Sequence, residues 1–168
     1  MKTIKRILVP TDFSELSLAA MDFASSFSLI YDAPIYLLHV VEEASSTAGI
    51  FMADTGFNAS LQKLDIQRAV ADLAILNHKK LPSHLDIQPV VRVGNPAAEI
   101  VKFAKEAGID IIVMATHGRT GLAHILLGSV AEHVLRTSGV PVLTIKPDTL
   151  RGDSLTEEEV ESQLQKPE

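Results

Sequence analysis

Apolar and polar positions along this chain follow two alternating periods. Ile4 to Pro10, Ile35 to Val41, Ile87 to Val93, Ile109 to Met114 and Val140 to Ile145 are short, mostly continuous apolar runs rich in β-branched residues. That pattern predicts strands buried on both faces. Between the first two runs, Leu16, Ala20, Phe23, Phe27 and Ile30 recur at helical spacing and predict an inward stripe. Asp32-Ala33-Pro34 is the turn that introduces the second strand. Glu42 to Ala59 contains Gly49 and Gly56 without a clear period and reads as a variable loop, followed by a helix from about Ser60 to Lys80. Asn95 as N-cap and Pro96 at the first helical position open a third helix, with Ile100, Phe103, Ala104 and Ala107 inward and Gly108 at its end. Val130 to Arg136 is the fourth helical segment. Buried strands alternating with amphipathic helices predict an α/β fold with a parallel sheet covered on both faces and right-handed crossovers.

At 168 residues, the chain is the size of one domain, with 46% hydrophobic and 21% charged residues, an ordinary globular balance. Cysteine is absent, which excludes disulfides and thiolate metal sites. The only early apolar run, Ile7-Leu8-Val9, is cut by Pro10 and Asp12, too short for a signal peptide or a membrane span, so the expectation is a cytoplasmic protein. The net charge of −6 is concentrated in 148–168, which carries seven acidic and two basic residues and leaves −1 for 1–147. The expected organisation is one domain over 1–147 and an acidic extension over 148–168. A near-neutral body without a basic stripe or an aromatic platform argues against nucleic acid as a partner, and no segment suits a membrane.

The chemistry concentrates in two loops. Ala115-Thr116-His117-Gly118 follows the fourth strand, and nine residues later Gly128-Ser129 opens a helix. Strand end, glycine-bearing loop and helix N-terminus is a geometry that binds phosphate, because free backbone N–H groups and the positive end of the helix dipole converge there. Thr11-Asp12 follows the first strand. In open α/β sheets, ligands bind outside the carboxyl ends of the strands where strand order reverses. If strands one and four are neighbours, both loops face one crevice, with Asp12 at one end of a ligand and Gly118, Gly128 and Ser129 at the other. A nucleotide fits that description. Neither a Walker A pattern nor Gly-x-Gly-x-x-Gly is present.

Ile7-Leu8-Val9-Pro10-Thr11-Asp12-Phe13-Ser14, Leu38-His39-Val40 and Met114 through Ser129 together resemble the universal stress protein family. The resemblance runs from about Lys5 to Pro147. It implies an open five-stranded parallel sheet of order 3-2-1-4-5, of the adenine nucleotide alpha-hydrolase-like type, and usually a dimer. One branch of the family binds ATP through Gly-x-x-Gly, nine residues, then Gly-Ser or Gly-Thr. Gly118, the spacer, Gly128 and Ser129 match, while Ala115 replaces the first glycine. By that resemblance, Asp12, beside Pro10 and Thr11, and Val40 would contact the adenine end. Ala115, beside Met114, would lie near the ribose, and Gly118, Gly128, Ser129 and Val130 would hold phosphates. A methyl group at Ala115 is a small obstruction, tolerable if φ is negative and the side chain points away.

Each candidate also has a purely structural reading. Ser129 to Glu132 fits a capping box, and Asp12 with Ser14 fits a helix cap. His39, at the end of a buried strand, reads as a packed or hydrogen-bonded core histidine. His117 and Arg119 sit in the glycine loop and can meet phosphate or simply be exposed, while His124 and His133 read as surface residues. No His, Asp or Glu set has the spacing of a zinc or iron site. Thr156 to Glu159 is a further capping box in the tail, and Arg151-Gly152-Asp153 reads as a chance tripeptide.

The reading these residues support is a stress-response protein that binds ATP or AMP, with magnesium as the accompanying ion, and acts as a nucleotide-dependent sensor or regulator. Binding would order the loop from Thr116 to Leu127 and shift a population. The alternatives are a nucleotide-free dimeric interaction module and a slow ATPase. No general base stands beside the phosphate cradle in sequence, so weak hydrolysis is the most that is expected, and no catalytic residue is assigned. Val140 to Ile145, the last strand, would lie at an open sheet edge and is the expected homodimer contact.

Overall fold

The computed structural model describes residues 3–42, 55–80, 84–116 and 127–146. Five strands and four helices alternate along the chain: β1 (Ile7–Pro10), α1 (Glu15–Tyr31), β2 (Ile35–Val41), α2 (Thr55–Lys80), β3 (Ile87–Val93), α3 (Pro96–Glu106), β4 (Ile111–Ala115), α4 (Ser129–Thr137) and β5 (Val142–Ile145). The strands form one parallel sheet of order β3-β2-β1-β4-β5. Alternate strand residues supply two cores. Ile7, Val9, Leu37 and Val113 face Ala20, Met21, Leu73 and Leu76 of α1 and α2. Leu8, Leu38, Ile112 and Met114 face Ile100, Phe103, Ala131 and Val134 of α3 and α4.

β2 and β3 have the bounds expected from the apolar pattern, and the other elements differ in instructive ways. β1 begins at Ile7 rather than Ile4, and β4 at Ile111 rather than Ile109. β1 starts late where the Asp110 carboxylate accepts from the backbone N–H groups of Lys5 (2.8 Å) and Arg6 (3.0 Å), and β4 starts late where Ile109 N–H turns back to Ala104 O of α3 at 2.9 Å. β5 begins at Val142 rather than Val140. Ser138 Oγ donates to Val140 O at 2.9 Å and accepts from Val140 N–H at 3.1 Å, and Pro141 has no N–H to pair. α2 starts at Thr55, so the last five residues assigned to the variable loop are helical. The remainder of that loop at 43–54 and the acidic extension at 148–168, with its capping box and Arg151-Gly152-Asp153, lie outside the described residues.

The inward face of α1 is not the stripe of large residues. Ser17, Ala20, Met21, Ala24 and Ser28 are buried, whereas Phe23 and Ile30 are 45% and 70% exposed. The two stripes share Ala20 and differ by a rotation of about one residue around the helix. Small side chains let α1 lie close on the sheet, which outweighs what two larger side chains would gain by burial there. α3 opens as expected, with Asn95 Oδ1 accepting from Ala98 N–H at 3.1 Å and Pro96 at its first position. Ile100, Phe103 and Ala104 are buried as expected, but Ala107 is the half-buried C-cap and Ala97 is the fourth buried residue.

Gly108 follows α3 at φ +62°, a conformation that costs most side chains about 1–2 kcal/mol. A Cβ there would meet Arg6 Nη1 at 2.8 Å, the atom that donates to Ala107 O and Gly108 O. Gly108→Ala is therefore expected to lower unfolding free energy by about 1–2 kcal/mol, more if the Arg6 contacts are lost, as read by urea denaturation. An unchanged midpoint would show that the turn relaxes without cost.

Candidate functional site

β1 and β4 are neighbours but stay paired only briefly, with Ile7 opposite Ile111 and Leu8 opposite Ile112. β4 then follows β5 as far as Ala115 opposite Ile145, and β1 follows β2 as far as Pro10 opposite Leu38. The chains leaving β1 and β4 part, and a cavity of about 720 Å³ opens above the gap. That is within the range of small-molecule sites. It lies at the carboxyl ends of the strands, where the strand order reverses, as the sequence pattern requires.

Nine of the twelve candidate binding residues line this cavity. Pro10, Thr11 and Asp12 come from β1 and its loop, Val40 from β2, and Met114 and Ala115 from β4. Gly128, Ser129 and Val130 come from the start of α4. The other three, His117, Gly118 and Arg119, lie outside the described residues, as do Gly121 and His124.

The β1 wall is held by a compact polar network. Thr11 is 7% exposed, and its Oγ1 lies 3.0 Å from Ser17 Oγ and accepts from Phe13 N–H at 3.0 Å. The Thr11 carbonyl accepts from His39 Nδ1 at 2.8 Å, so that ring nitrogen carries the proton. His39 is thus hydrogen-bonded as expected, and it also lines the cavity with Phe13, their ring centroids 4.4 Å apart. Phe13 stands at φ +66°, unusual for a bulky residue, and this turn throws Asp12 outward from the strand. Asp12 Oδ1 accepts from Ser14 N–H (3.1 Å) and Ser14 Oγ (2.6 Å). The cap of α1 is Ser14, whose Oγ accepts from Ser17 N–H at 3.1 Å, so Asp12 props the cap rather than serving as it.

The opposite wall corrects the capping-box expectation. Gly128, not Ser129, is the N-cap of α4, and among the described residues no side chain caps this helix. The reason is local: Gly128 N–H bonds to Thr116 O at 2.8 Å, and Gly128 O accepts from Glu132 N–H at 2.9 Å, which places Ser129 inside the first turn. The first turn of α4 therefore lines the cavity with no side-chain oxygen of a described residue capping its backbone donors. Together with the helix dipole they form a site for an anion.

Sequence reasoning missed the α2 wall. Asp65, Arg68, Ala69 and Asp72 line the cavity from that helix, as do Pro96 and Ile100 from α3. The four α2 positions share one helical face, with spacing i, i+3, i+4 and i+7, and Ala69 leads into buried Leu73 and Leu76. A stripe that is apolar toward one end and charged toward the other was the available signal: its charged part cannot be core. Arg68 is the only Lys or Arg among the described residues lining the cavity, against the carboxylates Asp12, Glu42, Asp65 and Asp72.

Thr11→Val keeps the shape of that side chain but leaves Phe13 N–H without its acceptor and Ser17 Oγ with only its bond to Ser14 O (2.8 Å). The expected cost is about 1–3 kcal/mol of unfolding free energy, measured by thermal or urea denaturation. A neutral substitution would mean that water or the Phe13 turn compensates.

The comparisons with known proteins agree with this geometry. The universal stress protein family model matches residues 3–146. Universal stress protein MJ0577 of Methanocaldococcus jannaschii is 33% identical over 153 residues, covering 84% of this chain and 94% of that protein. Universal stress protein MJ0531 of the same organism is 36% identical over 144 residues, covering 84% and 82%. The solved structure of MJ0577 has a TM-score of 0.76 at 34% identity, over 87% of this chain and 98% of that one. Two more distant universal stress protein structures share the fold at TM-scores of 0.55 and 0.54 and identities of 23% and 20%. The first is a complex with cAMP; the second, from Archaeoglobus fulgidus, is a complex with dAMP. By sequence and by fold, this chain belongs to the universal stress protein family.

Proposed function

We propose that the protein binds an adenine nucleotide, ATP or AMP, in the crevice between β1 and β4 and acts as a nucleotide-dependent sensor or regulator in the cytoplasm. The observation that carries this reading is the N-terminus of α4, capped by no described side chain, at a cavity that Asp12 also lines. The phosphates are assigned to the first-turn N–H groups of Ser129 and Val130, with Gly128 allowing close approach and Gly118, His117 and Arg119 completing the cradle from the adjoining segment. The base and sugar are assigned to the β1–β2 side, with Pro10, Thr11, Asp12 and Val40 around the base and Met114 and Ala115 beneath the sugar. Relatives of the same fold are known with cAMP and with dAMP, which supports an adenine nucleotide as ligand. Magnesium enters this reading as the counter-ion that nucleotide phosphates bring.

The residues present fit such a ligand. Ala115 is 7% exposed within β4, so the methyl group that replaces the family glycine is largely accommodated by the protein itself. Regulation then follows from linkage: a ligand that bridges the β1 wall and the α4 wall stabilises the state in which both are in place, and shifts populations only by that difference.

Differential scanning with ATP, AMP and adenosine is the direct test. A nucleotide present at a hundred times its dissociation constant adds about 2.7 kcal/mol of stability and raises the melting temperature accordingly. Gly128→Asp separates ligand binding from folding, because the two effects have opposite signs. The carboxylate would cap α4 and hold or slightly raise the melting temperature, while its charge would repel phosphate and abolish the nucleotide-induced shift. No shift in the unaltered protein with any adenine nucleotide would overturn the reading in favour of a ligand-free interaction module.

A homodimer through β5 belongs to the same proposal. Among the described residues β5 ends the sheet, and no described strand pairs with its outer side. Twofold pairing with a second copy covers that edge by an isologous contact involving Val142, Leu143 and Thr144, which are only partly buried. Light scattering at micromolar concentration is expected to give twice the 18.2 kDa mass of one chain. A mass of one chain would refute the dimer and leave the nucleotide proposal standing.

A further inference from the structure

The stripe of Leu16, Phe23, Phe27 and Ile30 on α1 has the period of an inward face, yet the chain buries a neighbouring face of small residues and leaves Phe23 and Ile30 exposed. Its position shows what it can meet. α1 runs antiparallel to the strands, and the crossover from β1 to β2 is right-handed. With Ala20, Ala24 and Ser28 on the sheet, the sense of a right-handed helix puts residues 16, 23, 27 and 30 on the flank that points away from β2. That flank overlies β4 and β5, which α1 also contacts. Phe27 accordingly packs on the core cluster that also holds Leu143 and Ile145 of β5. The flank and the β5 edge therefore adjoin. Glu15 and Asp22 are the only charged residues of α1, and neither is among the flank positions. An exposed helix flank without a charge, beside an open strand edge, has the character of an interface.

We propose that this flank is the second half of the contact between two copies of the chain, an inference that rests on the twofold pairing of β5. Antiparallel pairing of β5 with its copy continues the sheet across a twofold axis perpendicular to it. Both α1 helices then stand on the same face, one on each side of the axis. β4 and its copy are three strand spacings apart, about 14 Å. Helices in direct contact lie about 8–10 Å apart, so two helices standing over β4 and its copy leave a channel that small side chains cannot close. Leu143 of each copy lies at its floor, on the face of the sheet that α1 covers. Phe23, Phe27 and Ile30 of each copy close it from the sides. The large stripe of α1 is thus the core of the pair rather than of the single chain. Small residues sit where the helix must approach the sheet, and large ones where it must reach across a gap.

The test uses the full chain. Phe23→Lys with Ile30→Lys sets like charges across the axis and is expected to weaken dimerisation by roughly a hundredfold or more, measured by sedimentation over a dilution series. Leu29→Lys, on the opposite flank of α1 and 62% exposed, should leave the dimer unchanged. Cooperative thermal unfolding of the double variant would show that its fold is intact. A second measurement does not depend on that variant. The chain has no cysteine, so Phe23→Cys introduces a single thiol into the channel, and a short-spacer bismaleimide should join two copies, whereas Leu29→Cys should stay unlinked. A double variant that dimerises as tightly as the unaltered protein, or equal crosslinking of the two cysteine variants, overturns the α1 contact and leaves β5 pairing standing. A single-chain mass for the unaltered protein overturns the β5 dimer and this inference with it, and assigns the stripe to a cover from within the chain, such as 148–168.

Discussion

Right-handed crossovers constrain everything else in this molecule. The chain moves from β1 to β2 to β3 in one direction across the sheet, then returns past β1 to β4 and on to β5. With one handedness, connections running in opposite directions must cover opposite faces of the sheet. α1 and α2 accordingly pack on one face, and α3 and α4 on the other. At the β1–β4 boundary the outgoing chains turn away from each other, and the sheet cannot close the space between them. The crevice is thus a consequence of strand order, present before any side chain is chosen to fill it.

Side chains then decide what the crevice is like. On the β1 side, a buried hydroxyl pair and a histidine proton hold the Thr11 backbone, so the turn at Phe13 has little freedom. Such a turn costs conformational energy, and its persistence depends on the contacts around it. On the β4 side, a single backbone hydrogen bond from Gly128 to Thr116 brings the start of α4 to the end of the strand. A serine or aspartate at Gly128 would have satisfied the helix from within. Glycine supplies no such cap, and among the described residues no side chain takes its place.

The charge around the cavity is uneven in the same sense. Backbone dipoles supply the positive end at α4, whereas side chains supply mainly negative charge on the α2 and β1 sides, relieved by Arg68. A ligand with an anionic end and a hydrogen-bonding end is oriented by such a field. Among the described residues, no helix is long and apolar enough to cross a membrane.

The fold was legible in the sequence because strand burial and helix capping are local signals. Continuous apolar runs marked β2 and β3 to the residue, and Asn95-Pro96 marked the start of α3, since both depend on near neighbours. The positions of Asp12 and Gly128 at one crevice were legible too, once strands one and four were set side by side by the family pattern. What the sequence could not decide was which of two overlapping stripes of α1 faces the sheet. Periodicity identifies a helix, but only the closeness of approach to the sheet rejects Phe23 and Ile30 in favour of Ser17 and Ala24. The same holds for Ser129, where a capping motif was displaced by a hydrogen bond from Gly128 to Thr116, the residue that follows β4. Arg68 and its aspartates are far from β1 and β4 in sequence, and only the packing of α2 on β2 and β3 brings them to the cavity. Local signals choose the elements; long-range packing chooses which of their residues meet.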